Sequence, residues 1–293
     1  MIAINAPASL RADLQVRPAL PSDQQQIADL ILLAPHVHRH LDWRTPLDWL
    51  GCSPYWVLEE GRRLVGALAC PPDPESISWI RLFAYASHLS GSSVWLPLWK
   101  AAQGELAESG GATVAVIVTQ HWFESILLEN GYDLTGQITL LEWNYQPFVP
   151  VPIPSNIILR AMTLDDLPEV AEVDSAAFEP LWRNSFAALS KAYTQASHAS
   201  IAEDASGMVG YQLSTGSPIG AHLARLAVRP EAQRRGIGAA LVGELIMQIQ
   251  NNGGSRLTVN TQAENETSLA LYHKLGFRRT GEQFPVYTLR VEG

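Results

Sequence analysis

The stretch LAVRPEAQRRGIGAAL, residues 226–241, predicts how the second half of this chain folds. An apolar run ends at Val228, a turn containing Pro230 follows, and a basic loop with Gly236 and Gly238 leads into an amphipathic helix. Glycine lets backbone N–H groups approach an anion closely. The start of a helix adds unpaired N–H donors and a partial positive charge. The stretch therefore predicts a strand, a loop and a helix that together bind a pyrophosphate group.

The spacing of the glycines excludes two other phosphate-binding loops. A P-loop ends in G-K-[ST], which is missing here. A dinucleotide-binding loop needs a third glycine at the position that Leu241 occupies. Taken alone, the remaining glycine pair fits a structural turn as well as it fits an anion site.

A second stretch, NETSLALYHKLGF at residues 265–277, gives the loop a more specific meaning. Gln233–Gly238 and Asn265–Phe277 together resemble the acetyl-CoA loop and the following helix of the GCN5-related N-acetyltransferase (GNAT) superfamily. The resemblance covers about residues 157–291, and this half is similar to ribosomal-protein-alanine acetyltransferases. It implies an α/β (α+β) fold, acetyl-CoA as cosubstrate and no metal.

The first half of the chain repeats the pattern of the second. Strand-then-helix openings, a hairpin, a glycine-ended helix before a buried strand and a final glycine-aromatic pair recur in the same order. Between the halves lies a proline-rich segment, PFVPVPIPSN, which favours a stiff, extended linker. We therefore predict two tandem domains, residues 1–146 and 157–293, joined by residues 147–156. Each is expected to be a mixed, mostly antiparallel twisted sheet flanked by helices.

The first copy departs from the pattern at the coenzyme loop. Its counterpart, YASHLSGSSVWLP at residues 85–97, has one glycine and no neighbouring arginine, and Leu127 stands where the second copy has Tyr272. We predict a degenerate first domain without an acetyl-CoA site. It is expected to pack against the second domain or to shape the acceptor cleft, so one coenzyme molecule should bind per chain.

The resemblance assigns the coenzyme-binding residues to three segments. The end of the fourth strand of the second copy would hold the thioester arm, the glycine loop would hold the pyrophosphate, and the start of the later helix would contact the pantetheine. The residues are Leu226, Ala227, Val228, Gln233, Arg234, Arg235, Gly236, Ile237, Gly238, Ala239, Asn265, Ser268 and Tyr272.

The resemblance also implies a general acid and leaves two candidates for the general base. Tyr272 is the acid, because a phenol has a pKa near that of the departing thiol. It lies one turn beyond Ser268, which predicts that both face the coenzyme. His222 can accept a proton near neutral pH, and Glu179 is its rival.

Aromatic residues near Glu179 are the candidates for the acceptor site. Phe178, Trp182 and Tyr211 could line a partly apolar cleft or belong to the core, and Tyr287 could reach the acceptor from near the C-terminus. The acceptor is expected to be an amine, and both a peptide N-terminus and a small molecule stay open.

Composition limits the partners. The net charge of −9 disfavours nucleic acid and anionic membranes. Two cysteines, no signal peptide and no apolar run long enough for a membrane span predict a cytoplasmic protein. A homodimer stays open.

His36, His38 and His40 alternate along the chain, but with no acidic partner in view we expect no metal site.

Two functions follow from these residues. The first is an N-acetyltransferase that moves the acetyl group of acetyl-CoA directly to a primary amine in a ternary complex. The second is a sensor or interaction module that binds acetyl-CoA without turnover, which the lack of a single general base and the degenerate first copy favour.

Overall fold

Strands and helices alternate in both halves of the computed structural model, which describes residues 14–217 and 220–293. The first half contains β1 (Leu14–Pro18), α1 (Gln24–Leu33), β2 (His36–Arg39), β3 (Tyr55–Glu60), β4 (Arg63–Ala69), β5 (Ile77–Trp79), β6 (Leu82–Tyr85), α2 (Gly91–Glu108), β7 (Gly111–Ile117), α3 (His121–Glu129) and β8 (Asp133–Asn144). The second half contains β9 (Ile158–Ala161), α4 (Leu167–Ala177), α5 (Phe186–Gln195), β10 (His198–Asp204), β11 (Gly207–Ser217), β12 (Gly220–Val228), α6 (Ile237–Asn251), β13 (Arg256–Gln262), α7 (Glu266–Lys274) and β14 (Arg278–Glu292).

The predicted repeat is visible in a cluster of ion pairs that opens each half. An arginine of the first strand bridges an aspartate before the first helix and a glutamate of the hairpin. The clusters are Arg17 with Asp23 and Glu59, and Arg160 with Asp166 and Glu203, all at 2.7 Å between nitrogen and oxygen. Identical chemistry at equivalent places indicates two copies of one fold.

The strands form two sheets. The order in the smaller sheet is β1-β3-β4-β6-β2, and in the larger one it is β5-β7-β14-β8-β13-β12-β11-β10-β9. All pairs are antiparallel except β12 with β13 and β5 with β7. Helices pack on these sheets, so the predicted mixed, mostly antiparallel architecture with flanking helices is confirmed.

The last strand of each half lies in the other half's part of the sheet. Strand β8 pairs with β13 of the second half, where Leu141 stands opposite Val259. Strand β14 pairs with β7 of the first half, where Leu289 stands opposite Val114. The sequence does not anticipate this exchange. The division into residues 1–146 and 157–293 remains a prediction, and residues 1–13 lie outside the described part of the chain.

The proline-rich linker, residues 147–156, packs along α6. A Cβ built on Gly243 would lie 2.9 Å from Val151 and 3.6 Å from Phe148, so glycine is needed for this close approach. Pro154 lies near Gly236 at the start of the same helix. The linker therefore connects the two halves and also covers one face of the coenzyme-loop helix.

In the first half, the start of α2 is filled by protein. A Cβ on Gly91 would lie 2.5 Å from a methyl group of Ile126 and 3.1 Å from the hydroxyl of Tyr85. The Ser90 side chain accepts a hydrogen bond from the Ser93 N–H at 3.3 Å and caps the helix. These contacts occupy the place where the second half has its glycine loop.

Candidate active site

A cleft of about 910 Å³ lies where the exchanged strand β8 meets the second half. Its walls come from β8, the α4–α5 connection, β12, the loop before α6, α7 and β14. The lining residues include Thr135, Gly136, Gln137, Phe178, Glu179, Leu181, Trp182, Leu226, Ala227, Val228, Gln233, Arg234, Gly236, Ile237, Gly238, Ala239, Gln262, Glu264, Asn265, Thr267, Ser268, Leu271, Lys274 and Val286.

The loop before α6 presents its backbone to this cleft. Arg234 and Gly236 have positive φ angles of 62° and 85°, and Gly236 is the N-cap residue of the helix. No described side chain caps this helix, so its first N–H groups are available to an anion. Buried Ala232 and Ile237 anchor the loop on either side.

The two arginines of the loop have different surroundings. Arg234 lines the cleft, and no ion pair of the described residues includes it. Arg235 instead pairs with Asp204 at 2.9 Å and does not line the cleft. Hydrogen bonds from Ser206, together with Arg235, lower the pKa of Asp204 to about 2. Of the pair, Arg234 is the arginine that lines the cleft.

Helix α7 contributes one wall through five of its residues. Asn265 caps the helix by accepting a hydrogen bond from the Ser268 N–H at 3.0 Å, and both residues line the cleft. Lys274 lines it too and adds a second cation, which the sequence motif did not single out.

Tyr272 lies on the core side of α7 and is not among the residues that line the cleft. Its ring packs against Phe277 at 5.4 Å between centroids, in a cluster with Leu269 and Leu275, and 4% of the residue is exposed. Burial raises the pKa of Tyr272, which keeps the phenol protonated. Tyr272 therefore does not share the cleft-facing side of α7 with Ser268, contrary to what the sequence predicts. Its neighbour Leu271 and Ser268 line the cleft, whereas Tyr272 lies on the core side of the helix.

Of the two candidate bases, only Glu179 lines the cleft. Its carboxylate is exposed and precedes the short turn Pro180–Trp182. His222 lies on β12 in a separate small pocket, where Nδ1 is 2.8 Å from the Thr258 hydroxyl. Burial lowers the pKa of His222, so the ring is neutral at pH 7.

A buried ion pair positions the two aromatic residues that line the cleft. Arg225 donates to both carboxylate oxygens of Asp174 at 2.7 and 2.9 Å, and to the Trp182 carbonyl at 2.7 Å. Its guanidinium lies 3.5 Å from the ring centroid of Phe178. Tyr211 is fully buried and donates to the same aspartate at 2.6 Å, so it supports the wall from within the core.

The other residue predicted to reach the acceptor, Tyr287, lies elsewhere. Its hydroxyl donates to Glu124 of α3, a hydrogen bond that raises the pKa of the phenol to about 12. The ring belongs to the core of the first half. Neighbouring Val286 lines the cleft instead, because successive side chains of a strand point to opposite faces.

The first half supplies cleft residues that no motif indicated. Thr135, Gly136 and Gln137 come from β8, and Trp79 of β5 lies against Trp182 at 5.5 Å between ring centroids. They are distant in sequence from the coenzyme loop, so only the strand exchange brings them to the site.

The three alternating histidines are part of the first half's packing. His36 stacks on Tyr85 at 4.6 Å and His40 on Trp79 at 4.7 Å, while buried His38 contacts a backbone carbonyl. Among residues 14–217 and 220–293, no group of three or more histidine, cysteine or acidic side chains could hold a metal ion.

None of the helices in this part of the chain has the length and apolar character of a membrane span.

Comparison with known proteins tests the resemblance of the second half to a family. The model of the acetyltransferase (GNAT) family matches residues 163–277, which include the loop before α6 and all of α7. Residues 163–277 are therefore similar to the GNAT family. The predicted resemblance is thereby confirmed for the half that carries the motifs.

Curated relatives match a short part of this chain. The ribosomal protein bS18-alanine N-acetyltransferase of Escherichia coli is 40% identical over 57 residues, which are 20% of this chain and 38% of that protein. N-acetyltransferase family 8 member 3 of Mus musculus is 35% identical over 69 residues, 24% of this chain and 30% of that one. The chain thus spans 38% and 30% of the length of these two relatives.

Solved structures extend the likeness to both halves. A tandem GNAT protein from the clavulanic acid biosynthesis pathway is 16% identical with a TM-score of 0.65, covering 96% of this chain and 99% of that one. A GCN5-related N-acetyltransferase from Sphaerobacter thermophilus is 16% identical with a TM-score of 0.64, covering 96% of both chains. At this identity the likeness concerns the fold alone, and it confirms a tandem GNAT architecture.

Proposed function

We propose that this chain transfers an acetyl group from acetyl-CoA to a primary amine. The observation that carries the proposal is a single cleft joining an uncapped helix start to a half-buried aromatic wall with a carboxylate. Gly236 lies on the first wall, and Trp182 and Glu179 lie on the second. The GNAT family match supports acyl transfer as the class of reaction.

The loop and α7 have the groups that a pyrophosphate-bearing coenzyme needs. A Cβ on Gly236 would meet only Pro154, at 3.7 Å, so the space beside the loop is open. Arg234 and Lys274 add two exposed cations at the cleft. The N–H groups of residues 234–239 hold the pyrophosphate together with these cations. Acetyl-CoA, when bound, supplies the thioester that is attacked.

The chain's own residues then move two protons. Glu179 accepts a proton from the amine, directly or through water, as the new nitrogen–carbon bond forms. The backbone of Leu226–Val228 holds the acyl arm and polarises its carbonyl. In this mechanism Tyr272 turns from the core side of α7 into the cleft and donates a proton to the sulfur as the carbon–sulfur bond breaks, and leaving the core removes the burial that raises its pKa.

The acceptor to test first is a peptide that begins with alanine. This choice follows the Escherichia coli relative, a ribosomal protein bS18-alanine N-acetyltransferase. Small primary amines form the second group of acceptors.

The deciding experiment measures release of free CoA thiol from acetyl-CoA with both groups of amines. We expect release that depends on the amine, and calorimetry showing one acetyl-CoA bound per chain, because α2 begins against Tyr85 and Ile126. Absence of release with every amine would contradict the transferase. A stoichiometry of two would contradict the single coenzyme site.

A second candidate is an acetyl-CoA-binding sensor without turnover. The observation in its favour is that the predicted acid, Tyr272, packs in the core instead of lining the cleft. The same experiment separates the two functions. Acetyl-CoA binding without thiol release for any acceptor supports the sensor.

A further inference from the structure

Gly136 is a first-half residue in the cleft of the second half. It lies on β8 opposite Val286 of β14, and both residues line the cleft. Two residues further along the same strand, Ile138 packs in a cluster with Val286, Leu181 and Trp182. Side chains two apart on a strand point to the same face, so a side chain at position 136 would point to the aromatic wall.

The protein itself gives no reason for glycine at this position. The φ angle of Gly136 lies outside the left-handed region that favours glycine. A Cβ built there meets a single atom within 4 Å, a carboxylate oxygen of Glu264 at 3.9 Å. Gly210 on β11 is different, because its Cβ would lie 2.8 Å from the Ala227 carbonyl and could not be accommodated.

A glycine inside a strand weakens the sheet and often marks a place where a ligand or another backbone approaches closely. No other protein group fills the space beside Gly136. Leu181 and Trp182 pack in the cluster of Ile138, two residues along the strand, and both line the cleft together with Glu179. Position 136 therefore opens into the cleft between Glu264, beside the start of α7, and the cluster that holds Ile138, Leu181 and Trp182.

We propose that Gly136 determines which acceptors fit: its missing side chain admits an amine carried on a bulky body, so the degenerate first half sets the acceptor size limit of the second half's active site. The proposal rests on the acetyltransferase function proposed above and adds the class of acceptor. An amine with bulk next to the reacting nitrogen, as at a peptide N-terminus, uses the space. An amine without such bulk does not need it.

The test compares Gly136→Leu with Gly104→Leu. Gly104 lies on α2 with nothing within 4 Å of its Cβ position, away from the cleft, so the control adds the same bulk in open space. The acceptors are primary amines of graded size, from glycinamide to an alanine-initiated hexapeptide. Readouts are kcat/KM from thiol release, the acetyl-CoA Kd from calorimetry, and the melting temperature.

We expect G136L to lower kcat/KM for the hexapeptide by about tenfold or more, with a loss that shrinks as the acceptor becomes smaller. The acetyl-CoA Kd and the values for G104L should stay within about twofold of the wild type. If G136L does not melt cooperatively, Gly136→Ala is judged by the same size dependence, because its Cβ meets no atom closer than 3.9 Å.

Two failures are distinguishable. Wild-type turnover with a G136L profile that is unchanged, or that falls equally for all acceptors, overturns the role of Gly136 and leaves the acetyltransferase standing. Wild-type protein that releases no thiol with any of these amines overturns the proposed function, and this inference with it.

Discussion

At the scale of the residue, one buried carboxylate organises the acceptor wall. Asp174 has no exposed surface and accepts hydrogen bonds from Arg225, from the Tyr211 hydroxyl and from the Asn184 N–H. A buried charge is tolerated when it is paired and fully hydrogen-bonded. Because Arg225 also holds the Trp182 carbonyl, the same contacts that neutralise Asp174 fix the aromatic wall.

Replacing Arg225 by alanine should lower the free energy of unfolding by about 3–5 kcal/mol, because Asp174 would be left as an uncompensated buried charge. Urea denaturation measures the change. Arg290→Ala is the matched control: Arg290 pairs with Glu292 at 3.7 Å and both side chains are largely exposed. It should cost less than about 1 kcal/mol. Equal losses in the free energy of unfolding for the two variants would show that the buried ion pair stabilises the protein no more than the exposed one.

Tyr272→Phe tests the general acid. If Tyr272 protonates the leaving sulfur, kcat should fall by about 100-fold while the acetyl-CoA Kd stays unchanged, since general acid catalysis contributes on this scale. Thiol-release kinetics and calorimetry measure the two quantities. Tyr132→Phe is the control, because Tyr132 is also a buried phenol with a pKa raised by burial, but it lies in the first half's core. An unchanged kcat for Y272F would remove Tyr272 from the mechanism.

At the scale of the element, the start of α6 is built for a backbone contact. Gly236 has a φ of 85° and leaves the first N–H groups of the helix uncapped. At the other end of the same helix, Gly253 has a φ of 79° and nothing within 4 Å of its Cβ position. Both glycines have a positive φ, but Gly236 lines the cleft and Gly253 does not.

Substituting each of these glycines separates the effect of backbone strain on stability from the effect on coenzyme binding. Valine at either position should cost about 1–2 kcal/mol of stability, because a side chain is disfavoured in the left-handed region. Gly236→Val should also weaken acetyl-CoA binding by about tenfold or more, equivalent to about 1.4 kcal/mol. Gly253→Val should leave the Kd within about twofold. Calorimetry checks this, and equal affinities for both variants would contradict a coenzyme site at the loop.

What the sequence predicts well is local. The loop at residues 226–241 and the helix at residues 265–277 combine neighbours in sequence, so their glycines, caps and cations are readable before the fold is known. The direction of a single side chain is less readable. Tyr272 packs in a cluster with Trp143 and Leu223, and the Tyr287 hydroxyl donates to Glu124 of the first half, because partners distant in sequence decide which face is buried.

At the scale of the whole molecule, the exchange of β8 and β14 makes the two halves depend on each other. Strand β8 runs between β13 and β14, and β14 runs between β8 and β7. Neither half can complete its sheet alone, since an unpaired central strand would leave backbone N–H and C=O groups without partners. No sequence pattern within either half predicts this exchange, because the sequences of β8 and β14 are those expected of an ordinary last strand of a domain.

Cutting the linker should therefore leave the molecule in one piece. A protease site inserted between the exposed residues Ser155 and Asn156 breaks the covalent connection, while the ladder from Arg256 to Gln262 against Ile138 to Asn144 still joins the fragments. After cleavage we expect both fragments to elute together in gel filtration and to bind one acetyl-CoA with the affinity of the uncut insertion variant. Fragments that separate as folded units would contradict the exchange, since independent halves would have to complete their sheets with their own last strands.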